Sequence, residues 1–358
     1  MSRTASLELK PIGPCRWQIA LALALLAPSA LAENVYVGKV AGQDVVTDGL
    51  LRFAYLRIGH ELSLKERGPN LYAECPSDNS RNWECEEPSG WWELRTRGER
   101  ITGTWTKTRG GTGRPIALQA TPHTYDDVLL GANRVAIGKT VRTGTVTWAM
   151  KKELRSGIAY PILLSGPDAA ALSRINAALA KRFDDAVLDA LTMEAYETDE
   201  KILYADEHVV ALGGKSAEDG GGAHPTGGYS ALTWNLHSGE VVDWETLMRA
   251  APDGAVDLAR DDLFLAAVLR ELQRAADHDD GGCLSSAAAI MQCHDRTCAD
   301  VPSLKGRTGW PMYPTGKGLA VAPDVYSETE RGCRGETVVV PWREVRRGLK
   351  EPSDLLPK

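Results

Sequence analysis

From residue 34 to about residue 120, apolar and polar positions alternate in short runs that recur about every ten residues. The runs are Asn34–Val40, Leu51–Arg57, Glu61–Leu64, Trp91–Arg97, Ile101–Thr106 and Pro115–Ala120. Turn signals separate them at Gly42, Asp48-Gly49, Gly59, Gly68-Pro69-Asn70, Gly98 and Gly110-Gly111. A period of two is the mark of a strand with one face buried, and no helical period interrupts it. The pattern predicts an antiparallel meander, a small sandwich or barrel, over residues 33–120. Trp91 and Trp92 are adjacent, so in a strand they face opposite sides and at least one belongs to the core.

Residues 121–144 are punctuated by Pro122, Gly131, Gly138 and Gly144 and read as a linker. After them the period changes. Thr145–Leu154 reads as a strand. Pro167 opens an Ala-rich helix to about Leu191, with Leu172, Ile175, Leu179 and Phe183 on one face. Ile202–Tyr204 and Val209–Leu212 form a strand pair around Ala205-Asp206-Glu207, and Tyr229–Leu236 alternates as a further strand. Phe264, Val268 and Leu272 stripe a second helix, Val338–Val340 is a late strand, and a short helix starts at Trp342. Strands and helices do not follow a regular βαβ repeat. The expected fold class is therefore α+β: a β-rich unit, then an antiparallel sheet packed with helices over 145–350 and a tail at 351–358.

The first 32 residues set the compartment. Arg3, Lys10 and Arg16 precede an apolar run, Ile19–Ala27, and Pro28 and Ala30-Leu31-Ala32 follow it. That order reads as a cleaved signal peptide with the mature chain starting at Glu33, hence a periplasmic or secreted protein. Cys15 lies before the apolar run, so it is not an acylated first residue. No later run reaches the length of a membrane-spanning helix. The chain carries a net charge of −7. Without the three basic residues and Glu8 of the leader, the mature part is more acidic still. This balance disfavours nucleic acid and favours a basic protein partner. Cys75, Cys85, Cys283, Cys293, Cys298 and Cys333 read as three disulfides in an oxidising compartment. Cys75–Cys85 closes a short polar loop as the first pair, and the pairing of the other four stays open.

Motifs for catalysis are missing. The chain has no Gly-x-Ser-x-Gly elbow, no Ser-x-x-Lys, no His-Glu-x-x-His and no phosphate-binding loop. It is read as a non-enzyme without cofactor. Cys293-His294-Asp295-Arg296-Thr297-Cys298 holds metal-ligand residue types, but not at the paired Cys-x2-Cys spacing, so no metal is expected. Asp126 and Asp127 read as linker or capping acids. The most distinctive segment runs from Asp219 to Pro225, with glycines at 220, 221 and 222. Gly221, Gly222, His224, Pro225 and Tyr229 are the candidate binding residues. Glycine permits close approach of a partner, and His224 either contacts a ligand or pins the loop by hydrogen bonds.

The stretch GGAHPTGGYSALTWNLHSGEVVDWETLM, Gly221 to Met248, resembles an exported domain of unknown function. That domain is shared by the ectodomain of a lysozyme-sensing anti-sigma factor and the non-catalytic part of a peptidoglycan deacetylase. Tyr160–Leu179 is similar to its companion segment, and Gly318–Leu349 to its closing strands and terminal helix; the likeness covers roughly 145–350. The resemblance implies an α+β fold, export, and binding rather than catalysis. The chain lacks the deacetylase motifs and an anti-sigma segment, so neither activity carries over. The segment Gly90–Trp105 looks like a domain of other envelope proteins. Together these features lead us to expect an envelope binding protein that recognises or inhibits a lysozyme-like cell-wall hydrolase or binds a peptidoglycan fragment. The alternatives are a structural module without small ligand, or a peptidoglycan-modifying enzyme such as a deacetylase using His224.

Overall fold

The computed structural model describes residues 34–49, 52–76, 85, 87–193, 195–219, 226–249, 262–279, 282–290, 310–323, 326 and 328–356. The leader, Cys293 and Cys298 lie outside the described residues. Among the described residues no helix is long and apolar enough to cross a membrane.

Eight strands form the first unit: β1 Val35–Val40, β2 Gln43–Asp48, β3 Arg52–Tyr55, β4 Glu61–Gly68, β5 Leu71–Pro76, β6 Gly90–Arg97, β7 Arg100–Thr106 and β8 Arg114–Thr121. Each is antiparallel to the next, and β8 returns to pair with β1, so the meander closes as a barrel rather than a sandwich. Closure leaves no exposed strand edge. Tyr36, Val45, Phe53, Leu64, Trp92, Leu94, Ile101 and Leu118 fill the interior. Phe53 and Trp92 meet edge to face with ring centroids 4.8 Å apart. Trp92 is the core member of the tryptophan pair and Trp91 faces outward, half-buried. At Gly38 a Cβ would lie 2.1 Å from the Ala117 carbonyl oxygen, so β1 and β8 approach as closely as they do only without a side chain there.

Glu74 is the buried charged residue inside the barrel, among the described residues. It is 4% exposed and accepts hydrogen bonds from Tyr55 Oη (3.0 Å), Trp92 Nε1 (2.9 Å), Trp105 Nε1 (3.0 Å) and Ser89 Oγ (2.7 Å). A buried carboxylate is tolerated where donors surround it in this way. Cys75, next on the same strand, is bonded to Cys85, as the spacing indicated.

The stretch read as a linker is structured. Helix α1, Tyr125–Gly131, carries a capping box in which Thr124 and Asp127 exchange hydrogen bonds, so Asp127 is a capping acid. Strands β9 Val135–Ile137 and β10 Val141–Thr143 both pair with β11 Val146–Glu153, whose other edge pairs with β12 Ala159–Ser165. Helix α2, Ala169–Thr192, begins at Asp168, whose side chain accepts from Ala171 N at 2.6 Å; Pro167 stands just before this cap rather than in the first turn. Leu172, Ile175 and Leu179 pack on one sheet core. Phe183, Val187 and Leu191 pack with α1 against Val35, Val46 and Ala54 on the outside of the barrel. One helix thus joins the barrel to the rest.

Beyond α2 lies the sheet of β13 Ala195–Thr198, β14 Lys201–Ala205, β15 Val209–Asp219 and β16 Thr226–Asn235. Strand β15 pairs with β14 along its first half, β13 along its second and β16 throughout. The chain continues through α3 Trp244–Leu247, α4 Leu263–Ala276, α5 Cys283–Ile290, β17 Met312–Pro314, β18 Gly318–Val321, a 3-10 helix Glu328–Cys333, β19 Val338–Pro341 and α6 Trp342–Gly348. Phe264, Val268 and Leu272 of α4 pack with Leu319, Val340 and Val345. Leu356, in the stretch read as a tail, is buried in this same core. Asp262 caps α4 by accepting from Leu265 N at 2.9 Å. The architecture is α+β.

Candidate functional site

Strands β15 and β16 stay paired from Val209 opposite Asn235 to Glu218 opposite Thr226. Toward the Thr226 end the side chains of one face shrink, and Glu197, Ala217 and Gly227 sit side by side across three strands. A second wall stands over this floor. Cys333, at the end of the 3-10 helix, is bonded to Cys283 of α5. The residues on either side of it clasp the hairpin: Arg334 Nη1 donates to the Gly227 carbonyl, and Lys215 Nζ lies 3.5 Å from the Gly332 carbonyl and 3.8 Å from Glu336. Gly335 has φ +88°, and a Cβ there would lie 2.6 Å from the Tyr229 ring, so this crossing requires glycine. The floor and wall enclose an open cleft of about 400 Å³ between Glu197 and Asp199 on one side and Lys215 and Arg334 on the other. A smaller cavity of about 100 Å³ adjoins it beside Tyr229, Pro311 and Gly335.

The charges at the cleft are not equally engaged. Lys215 and Arg334 are held to the clasp. Asp199 accepts from Lys215 N and lies 3.6 Å from Lys201 Nζ. Glu197 is exposed and has no cation partner among the described residues. On the opposite face of the hairpin end, burial raises the Asp189 carboxyl, and the neighbouring charges of Glu218 and Asp185 raise it further. Three acids thus crowd there. Beneath the cleft, Glu200 is 4% exposed and bonded to Arg182 Nη2 (3.0 Å) and Ser230 Oγ (2.9 Å). Burial raises its carboxyl, and the Arg182 charge partly opposes that rise. Burial also pushes the Tyr229 phenol upward, reinforced by the neighbouring Tyr313.

Of the candidate binding residues, Tyr229 lies at this site, packed under Gly335. Gly221, Gly222, His224 and Pro225 lie outside the described residues; β16 begins at Thr226, the next residue, which lines the cleft. Sequence reasoning missed Glu197, Lys215 and Arg334. The only signal for them was Cys333, which places Arg334 beside a covalent tether.

No protein-family model matches the chain, and no curated relative matches it in sequence. Among solved structures the chain is similar to a DUF3298 family protein from Pseudomonas aeruginosa PAO1. The two share 14% sequence identity over 63% of this chain and 94% of that one, with a TM-score of 0.34. That neighbour represents a domain of unknown function, and its description links it to neither an anti-sigma factor nor a deacetylase.

Proposed function

We propose that the chain is an exported cell-envelope binding protein whose cleft at the Thr226 end of the β15–β16 hairpin takes a basic protein partner. The observation that carries the reading is Glu197, exposed and without a cation partner among the described residues, over a floor of Ala217 and Gly227. Small side chains let a partner approach the backbone, and an unneutralised carboxylate attracts a cation. The acids behind the hairpin, Glu218, Asp189 and Asp185, add to the same field. Two disulfides support an oxidising compartment.

The sharpest form of the reading is recognition or inhibition of a lysozyme-like cell-wall hydrolase, as the resemblance of the hairpin segment implies. The test is a calorimetric titration of oxidised Glu33–Lys358 with a basic lysozyme, muramidase activity being followed in parallel. Salt is set at about 0.05 and about 0.15 M, where the screening length differs appreciably. Saturable binding that weakens with salt supports the proposal, and inhibition alongside it supports the inhibitor form. Binding without inhibition points to a sensor or scavenger.

A further inference from the structure

The barrel carries a charged surface of its own, and it is cationic. Along β6 the outward positions are Trp91, Glu93, Arg95 and Arg97, because Trp92 and Leu94 point into the core. Across from them on β7 stand Thr104, Thr102 and Arg100, with Arg95 opposite Thr102 and Arg97 directly opposite Arg100. From Gly90 to Thr121 the cations are Arg95, Arg97, Arg100, Lys107, Arg109 and Arg114, against Glu93 and Glu99 alone, in a chain whose net charge is −7. Like charges directly across a strand pair repel and destabilise.

The structure does not neutralise them. Among the described residues none of the six forms an ion pair. Arg100 Nε donates to the Gln119 amide and Lys107 Nζ to the Ser89 carbonyl. Arg109 lies over the outward ring of Trp91 at 5.5 Å. Arg95 and Arg97 are exposed to solvent. The ring order sets where this face points. Strands β1 to β3 turn their outer side to α1 and α2, and in an eight-stranded ring β6 and β7 stand across from them. The cationic face is thus turned away from the helices.

We propose that the outward face of β6 and β7 docks on an anionic phospholipid bilayer, leaving the cleft free. Clustered guanidiniums gain from the surface potential of such a bilayer. An outward Trp with an Arg over its ring suits the headgroup layer, where amphipathic rings and cationic side chains collect. The inference does not depend on what the cleft binds.

The test is co-sedimentation of the oxidised protein with vesicles of phosphatidylglycerol and phosphatidylcholine, and with vesicles of phosphatidylcholine alone, at low and high salt. R95Q/R97Q/R100Q changes only exposed side chains, and its fold is checked by its unfolding midpoint. K152Q/K181Q serves as a control on exposed cations elsewhere. The expected result is salt-sensitive binding to the anionic vesicles only, roughly a hundredfold weaker in the triple variant and unchanged in the control. Equal binding to both vesicles, unchanged binding by the triple variant, or no binding to anionic vesicles overturns the proposal. So does capture by a soluble anionic polysaccharide without vesicle binding.

Discussion

The guanidinium of Arg155 lies 2.9 Å from the carboxylate of Glu153, with 1% and 0% of their side chains exposed. Arg155 also donates to the Leu56 carbonyl of the barrel (3.2 Å), to the Leu129 carbonyl of α1 (3.0 Å) and to Asn133 Oδ1. Glu153 in turn accepts from the backbone of Arg134 and Ser156. The pair pins the barrel to the rest of the chain. Glu153→Gln leaves a buried cation without its counter-charge and should cost about 3–5 kcal/mol in urea denaturation. E153L/R155M should not recover that loss, because Leu also strands the Arg134 and Ser156 N–H donors that Glu153 accepts from. A cost below about 1 kcal/mol for E153Q would contradict this account.

The acid dependence follows from two carboxyl groups shifted in opposite directions. Burial alone would raise Glu153, but hydrogen bonds from Ser156, Arg155 and Arg134 outweigh it and hold the carboxyl below its ordinary value of 4.5. Its contribution is present above that value and lost as pH falls through the folded value. Glu200 is raised by burial, so its cost grows as pH rises from 4.5 through its folded value. Unfolding midpoints across the acid range should therefore show wild type losing its advantage over E153Q toward low pH. Against E200Q, wild type should gain. The same trend in both comparisons would contradict the assignments.

Removing the acceptor inside the barrel should be costly. Glu74→Leu strands the Tyr55, Trp92 and Trp105 donors. At about 1–3 kcal/mol for each buried unsatisfied group, the loss should be about 3 kcal/mol or more by tryptophan fluorescence during denaturation. A loss under about 1 kcal/mol would mean that water replaces the carboxylate without penalty.

The two disulfides among the described residues should differ in both size and consequence. Their sequence separations are 10 for Cys75–Cys85 and 50 for Cys283–Cys333. Loop entropy then gives about 3 and about 4 kcal/mol. C283S/C333S should also loosen the wall that carries Arg334 and Glu336, seen as faster amide exchange at Glu336, whose N–H donates to the Cys333 carbonyl at 3.1 Å. C75S/C85S should leave that amide unchanged. Equal exchange in both variants would show that the clasp does not need its tether.

The barrel was legible because its alternation is local: Trp92, Leu94, Ile101 and Leu118 all fall on the face that the period assigns to the core. Strands β2 and β5 escaped notice. Gln43–Asp48 packs three buried residues in a row, and Leu71–Pro76 hides a carboxylate inside, so neither alternates cleanly. Helix α2 announced itself through Leu172, Ile175, Leu179 and Phe183. That it faces two cores at once was not legible, because a period reports a buried stripe and not what covers it. The cleft was least legible. Glu197 and Ala217 meet only through β-pairing, and Arg334 reaches Gly227 across more than a hundred residues, so no local window contains the site.

Filling the cleft on the β15–β16 hairpin shows whether a basic partner binds there. Ala217 is exposed on the cleft floor, so A217W adds bulk there without disturbing a core. The measurement is calorimetric titration of wild type, A217W and E197K with a basic lysozyme under identical salt. Wild type should bind saturably and each variant at least about tenfold more weakly, with unfolding midpoints unchanged. Wild-type affinity in both variants, or no saturable binding by wild type at high micromolar concentration, would contradict it.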